Sequence, residues 1–394
     1  MFHPVRYRFR SARTWGLAAG MVPAVLIAAA CSSSPGSSAS SPASSASTPS
    51  GSASASSTAF SAEQATVKQY EAVPATIPQT TPLTHPVTKG KTFVDLECEN
   101  TQCHDIATGV EAAGKAIGWN VKLINYNDTQ PATLTAAFQQ ALQYHPVGVS
   151  LTGTSPALWA GVLPEYKKAG IPIIPASVGP IPVQAPVAAT VDGLGAYTGP
   201  AKAIADWFVA QSNASGHLLL VDIPSFPVLK ETATAVSAEI TAKCPNCKVT
   251  DFDATIAQVD ANGVVAAAVS QLQRDPSIKY VISTDGVFIS GLASSAKAAG
   301  ISGLQIGSTI GGIVNEQDIL ASSESATLPW PGVVEGWVII DAAARVSEGM
   351  SVPDGDGNQP FQLLVKGNFT TPQESLLEPA DYPAQFEKLW LVNS

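Results

Sequence analysis

Polar side chains stand just after the predicted strands of this sequence, where a parallel sheet would present them at one edge. Those with groups suited to binding are Glu97, Glu99, Asn100, Gln102, His104, Thr152, Thr154, Ser177, Asp222, Ser225, Thr284, Asp285, Ser308, Thr309 and Trp330. Amides and hydroxyls beside a single Trp recognise a neutral polar ligand through hydrogen bonds and an aromatic wall. The residue types therefore favour binding of a small polar molecule.

Catalytic chemistry has little support in the sequence. There are five His, and no HExxH, GxSxG or GxxxxGK[ST] pattern occurs, so the signatures of zinc proteases, serine hydrolases and P-loop enzymes are missing. His104 with Glu97, Glu99 and Asp105 offers possible metal ligands, but we interpret these residues as a solvated acidic loop. The glycines at 193–199 lack dinucleotide-loop spacing. We expect no enzyme activity, no cofactor and no metal.

The elements that position these residues alternate between strand and helix from residue 89 onward. The predicted strands of the first series are 92–96, 120–126, 148–151, 171–174 and 187–191, and those of the second are 217–223, 248–253, 280–283, 304–307 and 326–328. Such alternation predicts parallel sheets covered by helices on both faces. Two series of five strands predict two doubly wound α/β lobes rather than one eight-unit barrel. Ligands bind beyond the carboxyl ends of such strands.

Several stretches, in order and spacing, carry a family pattern. They are residues 93–96 through Gly109 to 117–119, then 169–174, 280–285, 306–309, and 326–330 before a helix ending at 348–349. Over roughly residues 90–370 the sequence resembles periplasmic-type solute-binding proteins of sugar ABC importers, of the ribose-binding class. The resemblance implies a type I periplasmic binding protein fold with two lobes and a three-segment hinge. It also implies an ABC permease as partner, and a ligand trapped in the cleft by hinge closure.

The resemblance also implies a set of ligand-binding positions. They are Asn100, Gln102, Cys103, Ser177, Lys230, Thr284, Asp285, Thr309 and Trp330. Ser177 and Thr309 stand where the family has acidic residues, which removes strong charge-assisted acceptors. We therefore expect a small polar solute, which is a sugar, a modified sugar or a polyol, with fewer hydroxyls than ribose or galactose.

Five of these positions keep a second interpretation. Trp330 is either a wall of the cleft or a Trp of the core or the lobe interface. Asp285 is either a ligand acceptor or a helix N-cap. Asn100 and Gln102 belong either to the cleft or to a solvated loop. Lys230 is either a solvated helix residue or the partner of a carboxylate, and the latter would make the solute a small organic acid.

The amino-terminal residues predict export and anchoring. Four arginines precede an apolar stretch at 15–30, which is typical of a signal peptide. Residues 27–31 resemble a bacterial lipobox, with Cys31 as the lipidated residue. Residues 31–88 are rich in Ser, Pro and Thr and predict a tether. Removing residues 1–30 takes away four arginines and no acids, so the net charge changes from −10 to −14.

The other four cysteines form two close pairs, Cys98 with Cys103 and Cys244 with Cys247. Exported proteins retain disulfides, so we expect both pairs to be bridged. A redox role for Cys244 and Cys247 is less favoured, because a redox pair opens a helix and this pair precedes a strand.

These features divide the chain into four parts. Residues 1–30 are the signal peptide, 31–88 the tether, 89–191 with 331–360 the first lobe, and 192–330 with 361–394 the second lobe. We expect an extracytoplasmic monomer that is held at the cell membrane by its lipid alone and delivers a solute to a permease. A sensory protein of the same fold that signals to a membrane kinase is the alternative. The acidic charge argues against a nucleic-acid partner.

Overall fold

The computed structural model describes residues 63–127, 130–179, 181–353, 357–373 and 375–392. Its first sheet has four parallel strands, in the order β2-β1-β3-β4. They are β1 (Thr92–Cys98), β2 (Asn120–Tyr126), β3 (Val149–Thr152) and β4 (Ile173–Ala176). The interior strands β1 and β3 are almost continuously buried, as expected for a parallel sheet covered on both faces.

The fifth strand predicted for this series, at 187–191, is reduced to two isolated bridges. Val187 pairs with Ile173 and Val191 pairs with Ala176, both in parallel. Pro175 lies between those two positions of β4 and has no N–H to donate, so a continuous ladder is interrupted there. The segment still brings residue 192 to the end of the first sheet.

The second sheet has six strands in the order β10-β9-β8-β7-β5-β6. They are β5 (His217–Asp222), β6 (Lys248–Asp253), β7 (Tyr280–Ser283), β8 (Gln305–Gly311), β9 (Ala326–Pro329) and β10 (Leu364–Val365). All pairs are parallel except β10 with β9. The two doubly wound lobes predicted from the alternating pattern are therefore confirmed.

Helices cover both sheets. The first-lobe helices are α2 (Thr101–Ala116), α3 (Pro131–Leu142) and α4 (Leu163–Ala169), and α11 (Gly332–Ser347) joins them later in the chain. The second-lobe helices are α5 (Leu194–Gln211), α6 (Pro227–Lys243), α7 (Ile256–Asp260), α8 (Val264–Arg274), α9 (Leu292–Ala298) and α10 (Ile313–Leu320). Proline at the first position starts α3 and α6, because the ring presets φ and the missing N–H has no helical partner.

Glycine allows α11 to pack directly on α2. A Cβ at Gly109 would overlap the carbonyl oxygen of Val333, and one at Gly336 would overlap the carbonyl oxygen of Ile106. The two backbones therefore approach more closely than any larger residue would permit. This contact fixes the position of the first turn of α11, which carries Glu335.

The second half of the predicted tether is folded. Residues 63–70 form α1, which buries Val67 in the second-lobe core, and Lys243 of α6 pairs with Glu63 at 3.2 Å. Farther along, Ile77, Leu83 and Val87 enter the first-lobe core. We call residues 63–88 the N-terminal strap. The prediction of a tether that reaches residue 88 is wrong for this segment, because apolar residues spaced among its prolines pack against both lobes.

The carboxyl-terminal segment also departs from the predicted lobe assignment. β10 joins the second sheet, but α12 (Tyr382–Leu389) buries Phe386 and Leu389 in the first-lobe core. Trp390 follows and stacks on Trp337 of α11 with 5.5 Å between ring centroids. The aromatic pair draws the end of the chain away from the second lobe.

The predicted signal peptide, the lipidated Cys31 and the first half of the tether lie outside the described residues. Within the described ranges, no helix combines the length and apolar character needed to span a membrane.

Candidate ligand-binding cleft and hinge cluster

The first predicted site segment is occupied by a capped and bridged helix start. Cys98 and Cys103 form a disulfide with their Cα atoms 5.5 Å apart. Asn100 is the N-cap of α2, and its Oδ1 accepts from the Cys103 N–H at 2.9 Å. Its Nδ2 donates to Cys98 Sγ at 2.8 Å, while Gln102 is exposed. The Asn100 amide is therefore engaged by local contacts at the start of α2.

The second predicted disulfide is also present. Cys244 and Cys247 are bridged, with their Cα atoms 5.3 Å apart. The bridge closes the turn between α6 and β6, as the order of elements predicted.

Glu97 organises the rest of the first-sheet edge. Its Oε1 lies 3.0 Å from His104 Nδ1, and its Oε2 accepts from Asn125 Nδ2 at 3.3 Å. Asn127 donates to Glu99 at 2.9 Å. Across the described part of the chain, no group of three or more His, Cys, Asp and Glu side chains is arranged to hold a metal ion. The acidic loop thus forms a polar, hydrogen-bonded wall.

Three predicted residues of the second-sheet edge bond to one another or to nearby backbone. Thr284 Oγ1 donates to Asp222 Oδ1 at 3.1 Å, and Thr309 Oγ1 donates to the Thr284 carbonyl at 2.6 Å. Asp285 Oδ1 accepts from the Val287 N–H at 2.9 Å. Of the two interpretations of Asp285, the structure shows the capping contact.

Lys230 lies beside this network and is half exposed. Its Nζ is 4.0 Å from Asp222 Oδ2. Burial raises the pKa of Asp222, while the Thr284 hydroxyl and Lys230 partly oppose the rise. Lys230 therefore has a carboxylate close by within its own lobe.

Exposed apolar side chains follow the carboxyl ends of four adjacent strands in the second sheet. Phe226 follows β5, Ile256 follows β6, Val287 follows β7 and Val314 follows β8, with exposures of 38%, 40%, 59% and 47%. Phe226 also stacks on Phe288, with 6.4 Å between ring centroids. This edge therefore presents an apolar wall, which polar-residue reasoning from the sequence did not identify.

The two lobes approach one another beside this wall. A Cβ at Gly179, just after β4, would lie 3.1 Å from Pro227 Cβ at the start of α6. The loops that follow β4 and β5 therefore meet between the lobes at this point.

A second group of side chains meets where the chain passes between the lobes. We call it the hinge cluster: Ser177, Asp192, Tyr197, Trp330, Glu335 and Gln359. Ser177 Oγ donates to Glu335 Oε1 at 2.9 Å, and Trp330 Nε1 donates to Glu335 Oε2 at 3.0 Å. Trp330 also stacks on Tyr197, with centroids 5.5 Å apart. Glu335 therefore joins two predicted site residues that are distant in sequence.

Backbone strain accompanies the cluster. Ser177 has φ 55° and Asp192 has φ 50°, both in the left-handed region that non-glycine residues rarely adopt. Such conformations persist only where the surroundings hold them, and they concentrate at functional sites. The Asp192 N–H is fixed by the Gly357 carbonyl at 2.8 Å.

Little free space remains inside the hinge cluster. A cavity of about 20 Å³ lies among residues that include Tyr197, Thr309, Trp330 and Gln359, which is room for one water molecule. This cavity therefore has no room for a sugar-sized solute.

Burial dominates the electrostatics of the cluster. It raises the pKa of Asp192 well above the usual carboxyl range, and the nearby Glu335 raises it further. Burial likewise raises the pKa of Glu335, although hydrogen bonds from Ser177 and Trp330 oppose the rise. The pKa of the Tyr197 phenol is also raised by burial and by the charge of Asp192. The cluster therefore favours neutral forms.

The structure brings some predicted residues together and leaves others apart. Ser177, Trp330 and Thr309 lie at the hinge, whereas Asn100, Gln102 and Cys103 belong to the bridged start of α2 and Lys230 to the second-lobe edge. Sequence reasoning missed Asp192, Tyr197, Glu335 and Gln359. Asp192 could have been found, because it follows the predicted strand at 187–191.

Comparisons with known proteins agree with this geometry. A family model described as a periplasmic binding protein domain matches residues 98–351. The chain therefore belongs to the periplasmic binding protein family, whose members bind solutes outside the cytoplasm. Among curated protein sequences, none matches this chain.

Solved structures share the fold at low sequence identity. A sugar-binding protein of a sugar ABC transporter from Bacillus halodurans has a TM-score of 0.60 at 16% identity, covering 71% of this chain and 98% of its own. A solute-binding protein from Agrobacterium vitis with bound allitol has a TM-score of 0.57 at 17% identity, covering 71% and 96%. One from Burkholderia graminis in complex with D-arabinose has a TM-score of 0.60 at 13% identity, covering 73% and 99%. The shared architecture is the two-lobed type I fold.

Proposed function

We propose that this chain is the substrate-binding component of an ABC importer and holds a small solute between its lobes. One observation carries the proposal: loops that follow strands of both sheets meet between the lobes, with Gly179 of one lobe close to Pro227 of the other. Ligands of doubly wound sheets bind at such edges. Proteins of the same fold that bind allitol and D-arabinose support a sugar or polyol.

The two walls of the cleft favour a solute with two kinds of surface. The first-lobe wall offers amides and the Glu97 carboxylate, which suit hydroxyl groups. The second-lobe wall offers Phe226, Val287 and Val314, all partly exposed, and covering apolar surface contributes about 25 cal/mol per Å². A modified sugar or polyol with an apolar side therefore fits better than a fully hydroxylated hexose.

Lys230 gives less support to a small organic acid. Its Nζ already lies 4.0 Å from a carboxylate oxygen of Asp222, and a solute carboxylate would have to compete with that group. In the proposal Lys230 borders the cleft on the second lobe, with Thr284 and Asp285 buried behind that edge. Asn100 and Gln102 border the cleft on the first lobe, with Cys103 buried behind them, while Ser177, Thr309 and Trp330 close the hinge end.

The remaining parts of the proposal concern location and partners. The lipobox-like residues 27–31 support a lipid anchor at Cys31, and the protein would act as a monomer that docks on an ABC permease. A sensory role with a membrane kinase is the alternative, and the genes beside this one would distinguish the two. Closure around the solute would produce the form that docks.

A thermal-shift screen of the purified chain tests the proposal directly. The panel contains sugars, polyols, deoxy sugars, alkyl and aryl glycosides, and small carboxylic acids. A true solute at 100 times its Kd stabilises the folded state by about 2.7 kcal/mol. We expect the glycosides and deoxy sugars to give the largest shifts, and no shift with any class would contradict the proposal.

Substitution of Trp330 then tests whether the solute binds in the cleft. We expect Trp330→Ala to weaken binding of the best compound at least tenfold, because the ring that stacks on Tyr197 is lost. Trp330→Phe keeps an aromatic ring at that position and should weaken binding less. Equal affinity in the wild-type protein and Trp330→Ala, measured by calorimetry, would remove Trp330 from the site.

A further inference from the structure

The N-terminal strap connects the two lobes in addition to the segments of the hinge. Its first part, α1, lies on the second lobe, where Val67 belongs to the core. Its later part lies on the first lobe, where Ile77, Leu83 and Val87 belong to the core. The strap precedes residues 98–351, which match the family. The three-segment hinge that the resemblance implies therefore does not include it.

The part of the strap that is bound to the second lobe ends at Tyr70 and Glu71. The Tyr70 carbonyl accepts from the Leu363 N–H at 2.8 Å. The Glu71 carbonyl accepts from Gln362 Nε2 at 3.0 Å and from Asn368 Nδ2 at 3.2 Å. These three partners flank β10, which is a strand of the second sheet. Hydrogen bonds therefore fix Glu71 on the second lobe.

The part that is bound to the first lobe begins at Ala75. Gln385 of α12 donates from Nε2 to the Ala75 carbonyl at 3.2 Å, and its Oε1 accepts from the Ile77 N–H at 3.1 Å. Farther along, the Thr81 carbonyl accepts from Arg345 of α11 at 2.6 Å. Both helices pack in the first-lobe core, so these bonds fix Ala75 on the first lobe.

The connection between these two fixed points is short. It consists of residues 72–74, which we call the link. An extended chain spans at most about 3.6 Å per residue, so the Cα atoms of Glu71 and Ala75 can separate by no more than about 14 Å while both stay bound. The other end of the chain also returns from the second lobe to the first, but through the much longer segment 366–381 between β10 and α12. The link is therefore the tighter of the two terminal connections.

The N-terminal strap also contacts the hinge itself. Gln79 Nε2 donates to the Asn358 carbonyl at 2.9 Å, on the segment that leads from α11 to β10. The neighbouring Gly357 carbonyl accepts from the Asp192 N–H at 2.8 Å, on the segment that leads from β4 to α5. The strap and these two hinge segments are thus joined side by side. Rotation of one lobe against the other therefore displaces the strap as well.

We propose that the N-terminal strap restrains the rotation of the two lobes and holds them near the arrangement seen here. Glu71 and Ala75 belong to different lobes, so lobe rotation changes the distance between them. A link of three residues, one of them a proline with a fixed φ, tolerates little change. Larger rotations must break the hydrogen bonds at one end of the link, which costs free energy. That the restraint also affects solute affinity rests on the proposed function.

An insertion in the link tests the restraint in the full chain without solute, so its result is independent of the solute screen. Eight Gly and Ser residues between residues 73 and 74 leave the bonds at Glu71 and Ala75 in place. They raise the maximal separation of those two Cα atoms from about 14 Å to about 43 Å. The matched control carries the same insertion between residues 302 and 303, in an exposed loop that joins α9 to β8 within the second lobe.

Spin labels on the two lobes measure the distribution of interlobe distances. Leu158 after β3 and Val287 after β7 are 44% and 59% exposed. A ketone-bearing amino acid at each position takes a label without disturbing the disulfides. We expect a narrow distribution with the natural link and with the loop control, and one about twofold wider with the longer, flexible link. Equal widths in the three proteins would overturn the proposal.

A milder change decides the question if the insertion prevents folding. Gln385→Ala removes both hydrogen bonds at the first-lobe end of the link and should also widen the distribution, although less than the insertion does. Gln273→Ala is the matched control, because Gln273 is an exposed side chain on α8 of the second lobe. A distribution no wider in Gln385→Ala than in Gln273→Ala would then overturn the proposal.

Discussion

One helix carries two buried acids with opposite surroundings. Glu335 and Asp341 both lie on α11, and both are fully buried. Asp341 accepts from Arg345 Nε at 2.8 Å and from Trp390 Nε1 at 2.7 Å. Glu335 accepts from neutral donors only, and its charged neighbour is another carboxyl. The same helix thus holds one buried acid that is paired with a cation and one that is not.

The difference shows how burial alone does not determine protonation. Burial raises the pKa of both acids, but at Asp341 the Arg345 guanidinium opposes the rise. Asp341 is therefore a fixed structural charge. Its partner Arg345 also contacts the N-terminal strap, because it donates to the Thr81 carbonyl at 2.6 Å. Within the described part of the chain no cation pairs with Glu335, so this acid is suited to titrate.

The largest loss of stability is expected when the ion pair between Asp341 and Arg345 is broken. Asp341→Asn leaves the Arg345 guanidinium buried without its counter-charge, and breaking a buried ion pair in this way costs about 3–5 kcal/mol. Urea unfolding near neutral pH measures the loss. A loss below about 1 kcal/mol would mean that the buried pair contributes no more than a surface one.

The matching change at Glu335 should act in a pH-dependent way. Glu335→Gln is isosteric and cannot ionise. Folding raises the pKa of the native carboxyl, so wild-type stability falls as the pH rises through the raised pKa. We expect the variant to be more stable than the wild type by about 1–3 kcal/mol near pH 9 and no more stable near pH 5. Urea unfolding at both pH values checks this, and a variant destabilised equally at both would contradict it.

The smallest loss of stability is expected at the carboxyl-terminal end of α11. Glu348 follows α11 and accepts from Lys91 Nζ at 2.6 Å. Partial burial raises its pKa, but hydrogen bonds from Lys91 and Thr88 outweigh that effect and lower it overall. Lys91→Met should cost about 1 kcal/mol or less at low salt, and added salt should reduce the difference. A loss of stability as large as that caused by Asp341→Asn would mean that the partly exposed pair contributes as much as the buried one.

Much of the scaffold was predictable because it depends on local patterns. The strand at 280–283 and the disulfide between Cys244 and Cys247 follow from short runs and close spacing. The strand at 187–191 was predicted too long, because Pro175 on the neighbouring strand limits pairing in a way that the run itself does not reveal. Alternation of strand and helix was sufficient for the two lobes.

The hinge cluster was not predictable in the same way. Glu335 stands in an apolar helix, and its partners Ser177 and Trp330 come from other elements. The direction in which Glu335 points depends on the close packing of α11 on α2 at Gly109 and Gly336, which is a tertiary contact. The apolar wall at Phe226, Ile256, Val287 and Val314 was missed because the search along the strand ends considered polar residues.

The N-terminal strap sets where an expressible fragment can begin. The family match starts at residue 98, but Val67 is part of the second-lobe core and Ile77, Leu83 and Val87 are part of the first. A fragment that starts at residue 89 would uncover apolar surface on both lobes and remove the partner of the Leu389 carbonyl, which accepts from the Leu83 N–H at 2.9 Å. A shortened protein for crystallisation, or for attachment to another anchor, should therefore start before Glu63 so that it keeps the whole strap.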